Sequence, residues 1–317
     1  MALIDKAIYK IFSDCLKLTK GDSCLVLIDQ FTRELGHLLF DRAKRNTVDV
    51  ALLEIKPLTP RSPEPPPKVV NMMKQMSVVL SFTSRSLIHS NAVKQVCYNR
   101  SRVLFLTPLP EEFLARSINT NFEYIDKKSR RLADLFSIGR RIHLTTSGGT
   151  DIIIPIARHK GLANTGIVNE PGMFCVLPSG EACVTPDRNG TKGVLVIDGS
   201  IPSIGILKEH IIIKVKNGYA YKISGGKEVE KLRKILRPFG KKSRNIAEFG
   251  IGTNPNAVLS GISIEDEKVL GTAHIALGNP EFEGGSLKGN LHLDLVMQKP
   301  TVKIDGHTIL ENGKLVV

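Results

Sequence analysis

The sequence predicts two domains of the α/β class: a mainly parallel α/β domain over residues 1–145, followed by an α+β metal-binding domain over residues 146–317. Three observations support this prediction. The chain has 317 residues, 42% of them hydrophobic, which is enough to bury a large core. Its first half alternates short apolar runs with amphipathic stretches, as expected for a parallel sheet covered by helices. Its second half changes to strands separated by tight turns.

In the first half, hydrophobic spacing predicts alternating helices and strands. The predicted helices cover residues 5–18, 33–45, 69–75 and 86–98. The predicted strands cover residues 24–28, 48–55, 77–81 and 102–106. Six prolines from Pro57 to Pro67 predict an extended surface loop, because proline has no N–H to donate to a sheet.

A predicted helix over residues 124–138 leads into the second half. It is followed by two strands, residues 141–146 and 151–157, which a Ser-Gly-Gly turn joins, and the domain boundary is expected here. Beyond the boundary the sequence predicts one clear helix, over residues 228–236. It also predicts strands over residues 193–198, 209–215 and 218–223.

The charge balance attracts anions but does not by itself indicate nucleic-acid binding. Lys and Arg number 44 and Asp and Glu 31, a difference of 13. The basic residues form local clusters, such as the one from Lys231 to Arg244, which is typical of solvated helix faces. Aromatic residues make up only 5% and Trp is absent, so base-stacking platforms are poorly supplied.

Cysteine spacing and hydropathy bear on the cellular location. The five cysteines include no CxxC pair, which disfavours a disulfide framework and a thiolate zinc site. The N-terminal residues carry charge too early and too often for a signal peptide, and no apolar run reaches the roughly 18 residues that span a bilayer. A cytoplasmic protein with no membrane partner is expected.

The sharpest local signal for chemistry is the run LHLDL at residues 291–295. Successive side chains of a strand point to opposite faces, so His292 and Asp294 share one face and three leucines fill the other. Imidazole nitrogen and carboxylate oxygen suit zinc, manganese, cobalt or iron. For this triplet taken alone, the polar outer face of an amphipathic strand is the alternative interpretation.

Three more residues are candidate ligands. His274 lies among small and apolar residues, and Glu248 lies in an apolar run where a buried charge needs a cation or hydrogen-bond donors. Glu181 follows a turn and enters a similar strand. Each also fits a structural role, but together these groups are of the type found in two-metal hydrolases. We therefore predict that one or two divalent ions are bound by Glu181, Glu248, His274, His292 and Asp294.

Four segments of the second half resemble landmark segments of the aminopeptidase T family. They read LPSGE at residues 177–181, EFGIGTNP at 248–255, DEKVLGTAHIALG at 266–278 and HLD at 292–294. The resemblance implies a two-domain homodimeric metallo-aminopeptidase with a pair of divalent ions, zinc, cobalt or manganese, held by the five residues named above. It also implies a short peptide or other small molecule as substrate.

Two departures from that family affect the expected reaction. The family peptidases carry a catalytic tyrosine shortly after the first ligand histidine, whereas this chain has Glu281 at about that place. The interval from His274 to His292 is also shorter than expected. The same superfamily includes dioxygenases that cleave dihydroxypyridine rings with a single ferrous ion. His274, His292 and Asp294 would satisfy the two-histidine, one-carboxylate set of such enzymes.

The predicted function is that of a metal-dependent, aminopeptidase-like hydrolase, a metallopeptidase that activates water against an N-terminal peptide bond and so acts in proteolysis. Glu181 and Glu248 are the predicted catalytic residues, one of which takes the proton of the attacking water. Their presence as additional carboxylates favours hydrolysis over the alternative, a non-haem Fe(II) ring-cleaving dioxygenase. A non-enzymatic protein that binds nucleic acid through its basic surface is the third hypothesis.

Overall fold

The structure is a computed structural model that describes residues 2–59, 64–88, 90–187, 189–280 and 291–317. The chain forms two compact units. The first comprises Met1–Phe122 and Thr165–Ser179, and the second comprises Glu123–Asn164 and Gly180–Val317. None of the described helices is both long enough and apolar enough to cross a membrane.

The helices fall mainly in the first unit. In chain order they are α1 (Leu3–Lys10), α2 (Arg33–Ala43), α3 (Pro67–Gln75), α4 (Asn91–Tyr98), α5 (Glu111–Ile118), α6 (Phe122–Ile138), α7 (Glu228–Leu236) and α8 (Ser263–Asp266). A wider helical turn, Ile11–Cys15, continues α1, and a tighter helical segment, Arg237–Arg244, follows α7.

The strands divide between three larger sheets and one short hairpin. In chain order they are β1 (Ser23–Asp29), β2 (Asp49–Ile55), β3 (Val78–Phe82), β4 (Arg102–Leu106), β5 (Arg141–Thr145), β6 (Asp151–Pro155), β7 (Leu162–Asn164), β8 (Phe174–Leu177), β9 (Glu181–Val184), β10 (Lys192–Ile197), β11 (Ser200–Ile201), β12 (Gly205–Ile206), β13 (Ile211–Lys216), β14 (Tyr219–Gly225), β15 (Ile246–Gly252), β16 (Ala273–Gly278), β17 (His292–Met297), β18 (Thr301–Ile304), β19 (His307–Glu311) and β20 (Lys314–Leu315).

The first unit is built on a five-stranded parallel sheet in the order β2-β1-β3-β4-β8. Both faces of this sheet are covered. Val26 and Leu80 belong to the apolar cluster on one face, and Leu27 and Val79 belong to the cluster on the other. The inner strands therefore carry apolar residues on both faces rather than on alternate positions only, as parallel sheets covered by helices require.

The second unit packs an eight-stranded sheet and a five-stranded antiparallel sheet around one apolar core. The larger sheet has the order β14-β13-β10-β6-β5-β18-β19-β20, and the smaller has the order β17-β16-β15-β9-β7. Alternate residues of the smaller sheet, such as Phe249, Ile275 and Leu295, enter that core. Phe136 of α6 meets Phe249 edge-on, with ring centroids 5.7 Å apart. The other face of the smaller sheet is left for polar side chains.

The predicted α/β fold class is confirmed, and most predicted elements of the first half are present. The helix expected from residue 86 begins at Asn91, because the Ser90 hydroxyl accepts the Val93 N–H at 3.3 Å and caps the helix there. Helix α5 was not predicted. Of the proline-rich loop from Pro57 to Pro67, residues 60–63 lie outside the described residues.

The division of the chain differs from a single boundary between residues 145 and 146. Strands β5 and β6 pair with each other and with β18 and β10, so they belong to the second unit. The chain then returns to the first unit, where β8 adds to the parallel sheet beside β4. A strand of four residues gives too short a periodic signal to reveal this return from sequence.

Candidate metal centre

Four neighbouring strands of the smaller antiparallel sheet carry the five predicted ligands. Glu181 begins β9, Glu248 lies in β15, His274 lies in β16, and His292 and Asp294 lie in β17. Their side chains share the sheet face opposite the apolar core, because the residues that alternate with them belong to that core. The predicted strand face of His292 and Asp294 is therefore observed.

Small residues make room between these polar side chains. In the register of the sheet, Ala276 stands between Asp294 on one side and Glu248 on the other. Gly250 stands beside His274, and a Cβ added at Gly250 would lie 2.2 Å from the Nε2 atom of that imidazole. The ring can lie across β15 only because residue 250 has no side chain.

The candidate ligand atoms form two overlapping groups. Glu181, Glu248 and His274 each place one ligand atom within 4.8 Å of the others, and so do Glu248, His292 and Asp294. The Nε2 atom of His274 lies 3.5 Å from Glu181 Oε2 and 3.6 Å from Glu248 Oε1. The structure thus brings all five residues together, with Glu248 common to both groups, while their role as ligands stays a prediction.

The donor atoms have the chemistry that a cation site needs. The His292 ring lies with Nδ1 2.8 Å from the carbonyl oxygen of Asn279, an acceptor, so in the neutral ring Nδ1 carries the proton and Nε2 is the basic nitrogen. Nε2 lies 3.3 Å from Asp294 Oδ1. Among the described residues, that oxygen and both ring nitrogens of His274 are buried without a hydrogen-bond partner. Buried polar atoms are rarely left in this state, and a divalent cation would satisfy them.

Two further charged residues at the centre escaped the sequence prediction. Lys268 is buried, and its Nζ donates to Glu181 Oε1 and, at 2.6 Å, to Glu267 Oε1. Gly252 permits this arrangement, because a Cβ there would lie 2.1 Å from the Val269 carbonyl oxygen. In the sequence, Asp-Glu-Lys resembles a solvated turn, and its helical neighbour α8 is too short to give a periodic signal. Only the folded structure, in which the segment of Lys268 packs against Gly252 of β15, shows that the lysine is buried.

Burial and the charges of neighbouring residues both shift the pKa values of Glu267 and Lys268. Burial raises the pKa of Glu267, and the nearby carboxylates Asp294 and Glu181 raise it further, so it stays well above its usual range despite Lys268. Burial lowers the pKa of Lys268, but Glu181 and Glu267 outweigh it and hold that pKa above its usual range. The ammonium therefore stays charged and offsets carboxylate charge at the centre.

The pKa values of two candidate ligands, Asp294 and His274, are shifted, and the charge of each contributes to the shift of the other. Burial raises the pKa of Asp294, but the nearby positive charges of His292 and His274 lower this pKa by more, so the net shift is downward. Burial lowers the pKa of His274, whereas Glu248, Asp294 and Glu181 together raise it above its ordinary value. An excess of negative charge around the imidazoles is the environment in which a divalent cation binds favourably.

A cavity of about 280 Å³ adjoins the end of β16. Its wall includes Asn245, Asn279 and Pro280, and Asn245 donates from its side chain to the carbonyl of Gly278 at 3.2 Å. Because the Asn279 carbonyl also accepts from His292, the cavity wall is linked directly to a candidate ligand. None of the five predicted ligands lines this cavity.

Comparison with protein families identifies the family. The family model of NicX, 2,5-dihydroxypyridine 5,6-dioxygenase, matches residues 37–317. The chain belongs to this family. A curated relative, the 2,5-dihydroxypyridine 5,6-dioxygenase of Pseudomonas putida KT2440, is 29% identical over 245 residues, which cover 73% of this chain and 69% of the relative.

Two solved structures share the fold. The 2,5-dihydroxypyridine dioxygenase of Pseudomonas putida KT2440 superposes with a TM-score of 0.87 at 20% identity, covering 99% of this chain and 97% of the other. AmpT of Thermus thermophilus superposes with a TM-score of 0.66 at 19% identity, covering 99% of each chain. The resemblance to the aminopeptidase T family therefore reflects a shared fold, whereas the family itself is that of 2,5-dihydroxypyridine 5,6-dioxygenase.

These findings correct the predicted reaction. The chain is an enzyme, but the assignment as a hydrolase, and with it metallopeptidase, aminopeptidase and proteolysis, is wrong, because the family model and the curated relative are both named 2,5-dihydroxypyridine 5,6-dioxygenase. One fold hosts different reactions, so shared metal-site segments do not determine the chemistry. Glu281, at the expected place of the peptidase tyrosine, lies outside the described residues.

The predicted cofactor is confirmed as a divalent metal ion, and ferrous iron is the metal that the alternative prediction named. Each of the two groups of candidate ligands supplies one imidazole and two carboxylates, and Glu248 joins the groups. The five residues together therefore include the two imidazoles and the carboxylate that usually bind non-haem iron.

Proposed function

We propose that this enzyme opens a dihydroxylated pyridine ring with molecular oxygen at one ferrous ion. One observation supports this proposal most: the ring nitrogens of His274 and the Oδ1 atom of Asp294 are buried without hydrogen-bond partners, and the His292 imidazole lies beside that oxygen. The chain also belongs to the 2,5-dihydroxypyridine 5,6-dioxygenase family. These three residues would hold the ion. A ferrous ion bound there would supply the one-electron chemistry that lets molecular oxygen react with an electron-rich ring.

The overall reaction balances without a further reductant. The bond between ring carbons 5 and 6 breaks, and both atoms of one oxygen molecule enter the product. The ring supplies all the electrons that the oxygen molecule takes up. The site therefore needs no second cofactor, and the chain's own residues have only to bind the ring and manage its protons.

Glu248 is the residue best placed to accept a proton. Its carboxylate belongs to both groups of candidate ligands, lies 3.6 Å from the His274 Nε2 atom and is almost completely buried. A ring hydroxyl must lose its proton before the ring becomes electron-rich enough to react with oxygen. A buried carboxylate near the ring could take that proton directly.

Glu181 has a different part in this proposal. Lys268 holds one of its oxygens, while the other lies 3.5 Å from the His274 ring. The carboxylate is thereby fixed in orientation and partly neutralised, which suits it to position His274 rather than to move a proton. Lys268 in turn keeps Glu181 and Glu267 from repelling each other.

Oxygen consumption tests the proposed function. The protein, reconstituted with ferrous iron without air, is mixed with 2,5-dihydroxypyridine and then with oxygen. One oxygen molecule should be consumed per ring opened, and a zinc-loaded sample should consume none. The Glu248→Gln variant should retain iron but react at least about 100-fold more slowly, within the range of general acid–base catalysis. Zinc-dependent release of amino acids from short peptides, without oxygen consumption, would contradict the proposal.

A further inference from the structure

The strand order of the first unit marks a place where ligands commonly bind. From β1 the sheet continues on one side to β2 and on the other to β3, β4 and β8. In open parallel sheets, the crevice outside the carboxyl ends of the strands near such a reversal is the usual ligand site. The reversal in this sheet lies between β1 and β3, so the residues that follow these two strands flank the crevice, and the residues that follow β4 lie one strand further along the sheet.

A pocket of about 210 Å³ lies at the carboxyl ends of β3 and β4. Most of the residues that line it are serines or threonines, and a buried phenyl ring forms part of the remainder. No side chain that lines the pocket is charged, and none belongs to the metal centre. The lining includes Ser81, Thr83, Ser84, Phe105 and Thr107.

One hydroxyl of this wall lacks a partner. Ser81 is 2% exposed, and its Oγ has no hydrogen-bond partner among the described residues. The neighbouring hydroxyls are used, since Thr83 Oγ1 donates to the Arg85 carbonyl at 2.7 Å and Ser84 Oγ donates to Asp29 Oδ2 at 2.6 Å. A buried hydroxyl without a partner destabilises the fold unless a bound molecule supplies the hydrogen bond.

The pocket wall is held in place before any ligand arrives. The buried carboxylate of Asp29, at the end of β1, accepts hydrogen bonds from the Ser84 N–H at 2.7 Å and from the Phe31 N–H at 3.0 Å. Thr32 Oγ1 donates to the Phe82 carbonyl at 2.6 Å. These bonds tie the segment after β1 to the segment after β3, which is the kind of preorganisation that binding sites need.

The surroundings argue against an anionic ligand such as phosphate. The N-terminus of α4, which follows β3, already binds the Glu64 carboxylate through the N–H groups of Asn91 and Ala92, at 2.7 and 3.1 Å. The first turn of α5, which follows β4, carries two glutamates. The helix ends that usually bind phosphate are thus compensated by carboxylates.

Size and lining together define the ligand. An apolar cavity of roughly 150 Å³ holds one benzene molecule, so this slightly larger pocket suits a single substituted six-membered ring. We propose that the pocket binds one uncharged aromatic ring bearing a hydroxyl group or ring nitrogen, which hydrogen-bonds to Ser81 and packs beside Phe105. The proposal draws on the proposed function only in that the enzyme's own substrate is one possible source of such a ring.

Binding of simple rings to two matched variants tests this proposal. Ser81→Ala removes the unpartnered hydroxyl in the pocket, and Thr191→Val removes another buried, unpartnered hydroxyl in the second unit. Both should leave thermal stability equal or higher, because neither breaks a hydrogen bond. Calorimetric titration of the iron-loaded protein without air should show phenol and 3-hydroxypyridine binding about tenfold more weakly to Ser81→Ala and unchanged to Thr191→Val.

The outcomes separate the possible occupants. A 2,5-dihydroxypyridine binding event weakened by Ser81→Ala supports the substrate as the ring, and weakened binding of phenol alone supports another ring. Absence of ring binding to the wild-type protein, equal affinity in Ser81→Ala, or competition by inorganic phosphate would overturn the proposal. If the wild-type protein binds these rings in a Ser81-dependent way but consumes no oxygen with 2,5-dihydroxypyridine, the dioxygenase function is overturned and the pocket proposal is retained.

Discussion

The two five-stranded sheets of this protein present functional groups in opposite ways. The parallel sheet of the first unit is covered by apolar clusters on both faces, so its polar groups gather at strand ends, as Asp29 and Ser81 do. The antiparallel sheet of the second unit packs one face on the core and carries Glu248 and His274 in mid-strand on the other. A sheet with one face free of the apolar core can hold a metal centre on rigid strands, whereas a sheet with apolar clusters on both faces offers only its edges.

The largest expected effect tests whether one lysine compensates the buried carboxylates of the metal centre. Lys268→Met leaves the buried carboxylates of Glu181 and Glu267 without their shared cation. Removing one partner of a buried ion pair should lower the free energy of unfolding by about 3–5 kcal/mol, measured by urea denaturation. Lys44→Met, which breaks a solvent-exposed pair with Asp41, should cost less than about 1 kcal/mol. Equal losses in the two variants would contradict this assignment.

The next effect concerns the metal ion itself. His292→Ala removes an imidazole whose Nε2 atom lies beside Asp294 on the site face, so bound iron per chain and kcat/KM should both fall at least about 100-fold. Mass spectrometry of the metal content measures the first. The control is His143→Ala, which removes an exposed histidine paired with Asp151 on the larger sheet and should keep its iron. If His292→Ala retains iron, His292 is not a ligand.

A smaller effect tests the packing that lets the imidazole lie across β15. Gly250→Ala places a Cβ 2.2 Å from the His274 Nε2 atom, so the ring must move. Overpacking of this kind should cost about 1–3 kcal/mol of stability and weaken metal binding. Gly21→Ala in the first unit, where nothing lies within 4 Å of the new Cβ, serves as the control. Unchanged iron affinity in Gly250→Ala would show that the His274 ring can occupy another position without weakening metal binding.

The smallest expected effect is on the stability of the first unit, and it concerns Asp22, which directly precedes strand β1 of the parallel sheet. Burial raises the pKa of Asp22, but hydrogen bonds from Thr19 and Arg102 together lower this pKa by more than burial raises it, so the net shift is downward. The carboxylate therefore stabilises the fold above its unfolded pKa of about 3.9, and this contribution is lost as pH falls through the lower folded pKa. Asp22→Asn should cost about 1 kcal/mol at neutral pH. Urea denaturation in acid should show this difference shrinking, and a difference that grows in acid would exclude the assigned role.

Part of the metal centre was predictable from the sequence, because two of its residues, His292 and Asp294, lie close together in the chain on one strand. The alternation of His292 and Asp294 with leucines needs no tertiary information, since strand geometry places them on one face. Lys268 shows the opposite case. Its charge predicts exposure, and only the approach of its segment to Gly252 buries it beside Glu181. The reaction was not predictable from these residues either, because related metal sites on one fold perform different chemistry.

The sequence by itself determined the α/β class, the strands β1 to β4 and the strand face that carries His292 and Asp294. These follow from periodicity and turn chemistry, which act over a few residues. The tertiary structure decided that β8 returns to the parallel sheet, that Glu181, Glu248 and His274 meet the two β17 residues, and that Lys268 joins them. Such meetings depend on strand order and register between distant segments, which local patterns do not encode.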